Sequence, residues 1–377
     1  MLLPLMALPV FGAKRISIEK LEQIVASSHD LPDAKMAEQL SYLELSERLS
    51  GEKFAPIRAQ LHGVASLRAL VALTDRSEFE KPPAAEIPAK PPLDAEAQKK
   101  LLAQAMDYAQ RTISKLPNFL ATRHSSLFED KPGERFGTNV RSAEPLHYID
   151  SSTASVVYRG GSEKHDSEAE KREASANTAG DLASSGQFGP VLAKVLADAS
   201  EGKVEWSHWE LVNSNVRAIF RYTVPQKKSH YNVQLVLPWY TGNVVKEEPG
   251  YHGEIAIDPA DGTVLRLTIL AEMKPSNPMN RADMMVEYGP VEIGGKDYVC
   301  PLRSVTVVVA QTDPYAKTPI VAEFGDTMKT WRPEDRGKED QSLQMLMNDV
   351  AFDQFHIFRS DATVLVGEQP APDGKTR

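Results

Sequence analysis

The side chains able to do chemistry in this 377-residue chain are few and scattered. His252 and Glu254 flank Gly253, so on an extended strand both project from one face, a spacing that offers two metal ligands. Trp206-Ser207-His208 gives a second candidate, with His208 expected on the strand face of Trp206. Zinc needs a third protein ligand, and no H-x-x-x-H or further His/Asp cluster supplies it. The metal expectation is therefore none, with polar strand positions as the plain alternative. Cys300 is the single cysteine, which rules out an internal disulfide and an all-cysteine metal site. It has no neighbouring histidine and Pro301 follows it, so it reads as a small buried hydrophobe and not as a nucleophile. No G-x-S-x-G elbow is present. Asp258 and Asp261 stand as paired carboxylates only on paper, because Asp258-Pro259-Ala260-Asp261-Gly262 is turn chemistry in which aspartates cap backbone amides. Gly294-Gly295 lacks the glycine spacing and lysine of a phosphate loop. The expectation is no enzyme and no cofactor.

The elements around these residues are legible from period and turn. In Tyr251–Asp258, Tyr251, Gly253, Ile255 and Ile257 alternate with His252, Glu254, Ala256 and Asp258, the period of a half-buried strand. Leu265, Leu267 and Ile269 resume the alternation beyond a turn in which Pro259 presets φ and Gly262 takes positive φ. Val216, Ala218, Phe220, Tyr222 and Val224 alternate with Arg217, Ile219, Arg221 and Thr223, and Tyr231, Val233, Leu235 and Leu237 alternate with His230, Asn232 and Gln234. Gly294-Gly295 marks another hairpin, and Val350–Val366 reads as one or two closing strands. Nine to eleven strands are expected, ordered along the sequence from Arg217 to Arg303. Asp258–Gly262 should join the 251–257 and 264–273 strands as neighbours.

Upstream the period changes to that of helices. Ser17 is placed to cap a helix with Ile18, Leu21, Ile24 and Val25 on one face. Pro32-Asp33 opens another, with Met36, Leu40 and Leu43 in a stripe, and short helices are expected around 57–61 and 67–73. Residues 17–75 thus form a helical module of three or four helices. Ser77–Leu93 holds five prolines, which predicts an extended linker over 76–93. Asp94 then caps a helix whose stripe is Leu101, Leu102, Ala105, Met106, Ala109 and Ile113, and residues 118–128 supply a first strand. Gly160–Gly186 is polar and loop-like, and residues 368–377 read as a disordered tail.

Composition bounds the partners. The formal net charge of −9 sets the chain against a nucleic-acid backbone, which demands a basic stripe. Met1–Ala13 is apolar and too short to cross a bilayer. It resembles the apolar region and small-residue cleavage site of a secretory signal peptide, although no basic segment precedes it. A periplasmic, exported protein with no transmembrane segment is the expectation.

Three stretches carry a family resemblance: YAQRTISKLPNF; GEIAIDPADGTVLRL, with Gly253, Ile257, Asp258, Pro259, Gly262, Val264, Leu265 and Arg266; and YGPVEIGGKDYVCPLRS, with Pro301-Leu302-Arg303-Ser304. Together they resemble LolA-like periplasmic proteins, related to outer-membrane lipoprotein sorting, over residues 94–367. The resemblance implies an α+β fold. After the small N-terminal helical module read from periodicity, it implies a curved antiparallel sheet, an unclosed barrel, with helices against its concave face. It further implies non-covalent binding of a lipid or lipoprotein. The groove would be lined by Phe220, Tyr222, Tyr231, Val233, Leu235, Ile255 and Ile257, which share apolar strand faces. The alternative is that those residues fill a core, and that an envelope scaffold contacts a protein partner through residues 17–75. Residues 17–75 and 160–186 have no counterpart in the resemblance.

Overall fold

The structure, a computed structural model, describes residues 13–28, 30–131, 134–136, 139–141, 143–160, 162–165, 190–236, 244–274, 277–311 and 343–357. Met1–Ala13 except Ala13, most of 160–186, and the tail 368–377 lie outside these residues.

The helical module contains α1 (Ile18–Ser27), α2 (Asp33–Ser41), α3 (Gly51–Arg58) and α4 (Val64–Ser77), with β1 (Lys14–Ile16) paired parallel to β2 (Leu43–Leu45). Four helices match the periodicity, while the two short strands and the placement of α3 ahead of 57–61 are additions from the structure. Ser17 Oγ accepts from the Lys20 amide at 3.3 Å, closing the start of α1. Asp33 begins α2 but caps α4. Its carboxylate accepts from the amides of Ala65 and Ser66 at 2.9 and 2.8 Å, pinning α2 to the N-terminus of α4. Leu21, Val25, Leu40, Ile57 and Leu70 fill the module's own core with no exposed surface. Each such side chain stabilises by about 1.5–3 kcal/mol.

The proline-rich stretch carries one 3-10 turn, Ala84–Glu86, and is held to the rest of the molecule at several points. Arg48 donates its amide to Lys81 O at 2.8 Å, Trp209 Nε1 donates to Pro91 O at 2.8 Å, and Lys90 lies over the Trp209 ring. Prolines remove donors but leave carbonyls, and these carbonyls take the available N–H groups. The stretch is a strap across the edge of the sheet.

Asp94 caps α5 (Ala95–Lys115), its Oδ1 accepting from the Ala97 amide at 2.8 Å. The main sheet follows: β3 (Phe119–Lys131), β6 (Glu144–Arg159), β7 (Ser162–His165), β8 (Lys203–Val212), β9 (Asn215–Val224), β12 (Tyr251–Ile257), β13 (Val264–Ala271), β14 (Met279–Glu292), β15 (Asp297–Gln311) and β16 (Leu343–Ile357). β4 (Glu134–Phe136) and β5 (Asn139–Arg141) form a small separate hairpin, and α6 (Pro190–Glu201) precedes β8. The ten strands run β7-β6-β3-β16-β15-β14-β13-β12-β9-β8, with every pairing antiparallel and the sheet unclosed. The fold is α+β, as expected.

Sheet order follows the sequence from β12 to β16, and β12 and β13 are neighbours. One expectation fails. The strand containing Val233 and Leu235 is not in this sheet: β10 (Val233–Val236) pairs only with β11 (Val244–Glu247), so β9 meets β12 directly. Alternation identified the strand correctly but carries no information about its partner.

The hairpin at 258–262 forms as its residues require. Asp258 Oδ1 accepts from Ala260, Asp261 Oδ1 accepts from Thr263, and Gly262 takes φ +83°. Gly253 has a different reason. A Cβ there would collide with the Thr268 carbonyl, to which the Tyr222 hydroxyl donates at 2.6 Å.

The sheet has two covered faces. On one, Leu101, Ala105 and Ala109 of α5 and Leu192, Val195 and Leu196 of α6 pack on Phe220, Tyr222, Ile255, Ile257, Leu267 and Val286. On the other, Ala72 and the partly buried Val71 and Phe79, from α4 and the start of the strap, pack on Phe128, Met285, Val305, Val307 and Met347. The helical module is therefore seated on the sheet.

Candidate functional site

The face under the module carries a row of charges across neighbouring strands. Glu210 of β8 stands opposite Arg217 of β9, Arg266 of β13 opposite Glu287 of β14, and Glu287 opposite Arg303 of β15. Opposite charges at facing positions favour one another. The row lies on the polar side of each alternating strand, so from sequence it reads as a wet face. The module turns it into an interior.

The module and strap answer with charges of their own. Arg48, after β2, reaches Glu210 Oε2 at 2.6 Å. Arg303 Nη2 donates to the Asp75 carboxylate of α4, Nη1 donates to Glu78 Oε1 at 2.9 Å, and Nε donates to Asp349 Oδ1 of β16 at 3.0 Å. Arg266 Nη2 donates to the Glu78 carbonyl and lies 3.3 Å from its carboxylate. The Arg48, Glu210, Arg266, Glu78 and Asp75 side chains are each no more than 6% exposed. In such a place an unpaired charge costs several kcal/mol.

The carboxylates divide the charge unequally. Burial opposes ionisation of Glu78, but Arg303, Arg266 and Arg48 outweigh it and hold the carboxyl below its usual range. Asp75 goes the other way: burial, with Asp349 and Glu78 nearby, raises it well above the usual range despite Arg303. Burial also raises Glu287, helped by Glu78. Glu210 resists burial because His208, 3.7 Å away, and Arg48 pull it down to about 2.

A cavity of about 470 Å³ opens along this seam. Its lining includes the polar Arg48, Arg217, Arg266 and Glu287 and the apolar Leu49, Phe54, Val71, Val212, Leu265 and Leu302. A second cleft of about 410 Å³ lies between α2, α4 and β6, lined by Ala37, Tyr42, Ala65, Ala69, Leu146 and Tyr148 among others.

The residues expected to line a groove lie elsewhere. Phe220, Tyr222, Tyr231, Val233, Leu235, Ile255 and Ile257 come together in one cluster on the α5/α6 face, each at most 9% exposed. The β10–β11 hairpin contributes Val233 and Leu235 to that cluster although it lies outside the main sheet, and Tyr231 joins from just before β10. A clamp fixes α6 over them. The buried Asp198 accepts from the Tyr251 hydroxyl and the His230 amide, each at 2.8 Å, and contacts His230 Nδ1 at 2.6 Å.

His208 and His252 do not meet. The register shifts between Trp206 and His208, so His208 pairs with Ile219 and faces the module while Trp206 pairs with Phe220 on the opposite face. The expected shared face is thus corrected by a bulge, which inverts the side of every later residue. Along β9 the partners of His208 and His252 are Ile219 and Thr223, roughly 13 Å apart at strand spacing. His252 lies 3.5 Å from Glu272, and Glu254 is 3.1 Å from Arg221. Among the described residues no group of three His, Cys, Asp or Glu side chains is arranged for a metal ion. Cys300 is buried against the Phe119, Ala121 and Tyr158 cluster, and burial pushes its thiol up to about 12. Among the described residues no helix is long and apolar enough to cross a membrane.

Sequence reasoning passed over Arg48, Asp75, Glu78, Glu210 and Glu287. The available clue was the succession of charges at matching positions on adjacent alternating strands, which only register makes visible.

No family model matches the chain, and no curated protein matches it. Among solved structures it is similar to a DUF1329 family protein from Desulfovibrio piger, at 10% identity and a TM-score of 0.27, covering 69% of this chain and 94% of that one. It is also similar to MucB in complex with MucA(peri), at 12% identity and a TM-score of 0.21, covering 69% of this chain and 94% of that one. The Pseudomonas aeruginosa MucA/MucB complex gives 12% identity, the same score, and 66% and 93% coverage. Likeness at this level carries no argument about what the chain does.

Proposed function

We propose that this protein is a non-enzymatic binding module of the cell envelope, with a filled sheet core and a partner-protein surface on its N-terminal helical module. The observation that carries this reading is the contrast in exposure between the two regions. The seven strand residues suited to an acyl groove are packed beneath α5 and α6. On the module, Leu31, Tyr42 and Val64 are 43%, 40% and 63% exposed. Asp33 ties Leu31 and Val64 to one end of the module by capping α4, and Tyr42 opens into the cleft beside β6. Ala37, Ala65 and Ala69 line that cleft, and small side chains let a partner backbone approach closely. The occupant we assign is an apolar segment of another protein. The apolar stretch Met1–Ala13 and the hairpin resemblance support the envelope placement.

Native mass spectrometry of the protein purified from its host, together with photo-crosslinking from position 64, tests this. A discrete polypeptide adduct from position 64 that Tyr42→Arg abolishes, with no retained lipid, supports the reading. Co-purified lipid, with no adduct from position 64, overturns it in favour of a carrier that opens by lifting α5 and α6.

A further inference from the structure

We propose that the seam cavity between the helical module and the sheet binds a small organic anion, a carboxylate bearing a short apolar tail. Its volume of about 470 Å³ is within the range of small-molecule pockets. Its lining combines the apolar Leu49, Phe54, Val71 and Leu302 with the arginines Arg48, Arg217, Arg266 and Arg303 and with six carboxylates. Among the described residues, Arg48 Nη1, Arg217 Nε and Arg266 Nε are buried with no hydrogen-bond partner. Buried donors in native proteins are nearly always satisfied, so three orphaned guanidinium N–H groups around one cavity point to an acceptor that binds there.

Carboxylates are also present, and they decide the ligand's sign. Glu78, Glu210 and Asp349 are each already paired with an arginine. The orphaned carboxylate oxygens are Asp75 Oδ2 and Glu86 Oε2, and the hydroxyls of Ser50 and Tyr288, which can donate or accept, are unpartnered beside them. Burial pushes both of those carboxyls, and Glu287, towards the neutral form. Arg217 stands opposite Glu210 without a contact within 4.0 Å among the described residues, and its buried Nε has no hydrogen-bond partner. The seam thus presents surplus positive hydrogen-bond donors beside apolar surface. The site is independent of the partner surface proposed above, since it lies on a different face of α4 and uses none of the cleft residues.

Calorimetric titration with hexanoate, and with hexylamine and hexanol as probes of opposite and zero charge, tests the assignment on the full chain. Hexanoate should bind, and the other two should not. Arg217→Gln should weaken hexanoate binding at least about tenfold, as expected for a lost charge-assisted hydrogen bond. Val212→Trp fills the cavity without altering a charge and should abolish binding. Arg221→Gln, on the same strand but paired outside the cavity with Glu254, should bind as the parent does. Hydrogen exchange on the parent locates the site without any variant, with slowing expected at 48–54 and 212–217. The proposal is overturned if hexanoate fails to bind at roughly 10 mM, if hexylamine or hexanol binds equally well, or if exchange slows only on the α5/α6 face.

Discussion

The two faces of the one sheet are stabilised by different physics. The α5/α6 face is a continuous apolar core in which Ile255, Ile257, Phe220 and Leu267 have no exposed surface. The module face is apolar only around Met285, Val305, Val307 and Met347, and elsewhere is an ion network buried under α4 and the strap. Apolar burial is non-directional and tolerates small shifts. A buried guanidinium–carboxylate pair roughly offsets its own desolvation, so it adds little net stability, but a misplaced partner is heavily penalised. The first face thus holds the domain together, and the second specifies where the module sits.

The largest effect should come from breaking that network. Glu78→Ala leaves Arg266 and Arg303 without their shared partner and should cost about 3–5 kcal/mol in urea unfolding. A loss no larger than that of an exposed pair would mean that water already reaches the seam. On the other face, Ile255→Ala and Leu235→Ala should each cost about 2–5 kcal/mol, because a filled core leaves a cavity. Small losses, with binding of a fluorescent fatty acid by the parent, would instead show that this face opens.

The first face was legible in the sequence and the second was not. Period-2 alternation named Phe220, Tyr222, Ile255 and Ile257, and turn chemistry located the 258–262 hairpin, because both are local properties. The position of β10 outside the main sheet and the bulge that turns His208 away from Trp206 depend on pairing, which alternation does not encode. The seam was missed for a stricter reason. Arg217, Arg266 and Arg303 occupy polar strand positions that normally face water, and only the module's docking buries them. Arg266 and Arg303 belong to the hairpin and late-strand patterns, which say nothing of their partners on the module.

Acid should act on the module face through Glu210. Glu210 has a folded-state pKa of about 2 against a reference of 4.5. Its contribution is therefore fully present above pH 4.5 and lost as pH falls towards about 2, and amounts to about 3 kcal/mol. Glu210→Gln should unfold with a shallower dependence on pH across that window than the parent. Parallel curves for the two proteins would remove Glu210 from the acid response.

Asp75 should respond in the opposite sense. Its folded-state pKa is raised above the reference of 3.8, chiefly by burial. A group that holds its proton more tightly when folded favours folding at low pH, and this contribution is lost as pH rises from the unfolded pKa through the folded one. Each unit separating the two values is worth about 1.4 kcal/mol. Asp75→Asn keeps an acceptor for Arg303 Nη2 and presents a neutral amide at every pH. The variant should match the parent near the reference pKa and surpass it at neutral pH, as read from melting temperatures across the range. Glu78 provides the internal control, since its carboxyl is held in the ionised form by Arg303, Arg266 and Arg48, and Glu78→Gln should destabilise where Asp75→Asn stabilises. If both amide variants lose stability at neutral pH, Asp75 carries charge in the folded protein, and the seam is an ion network throughout.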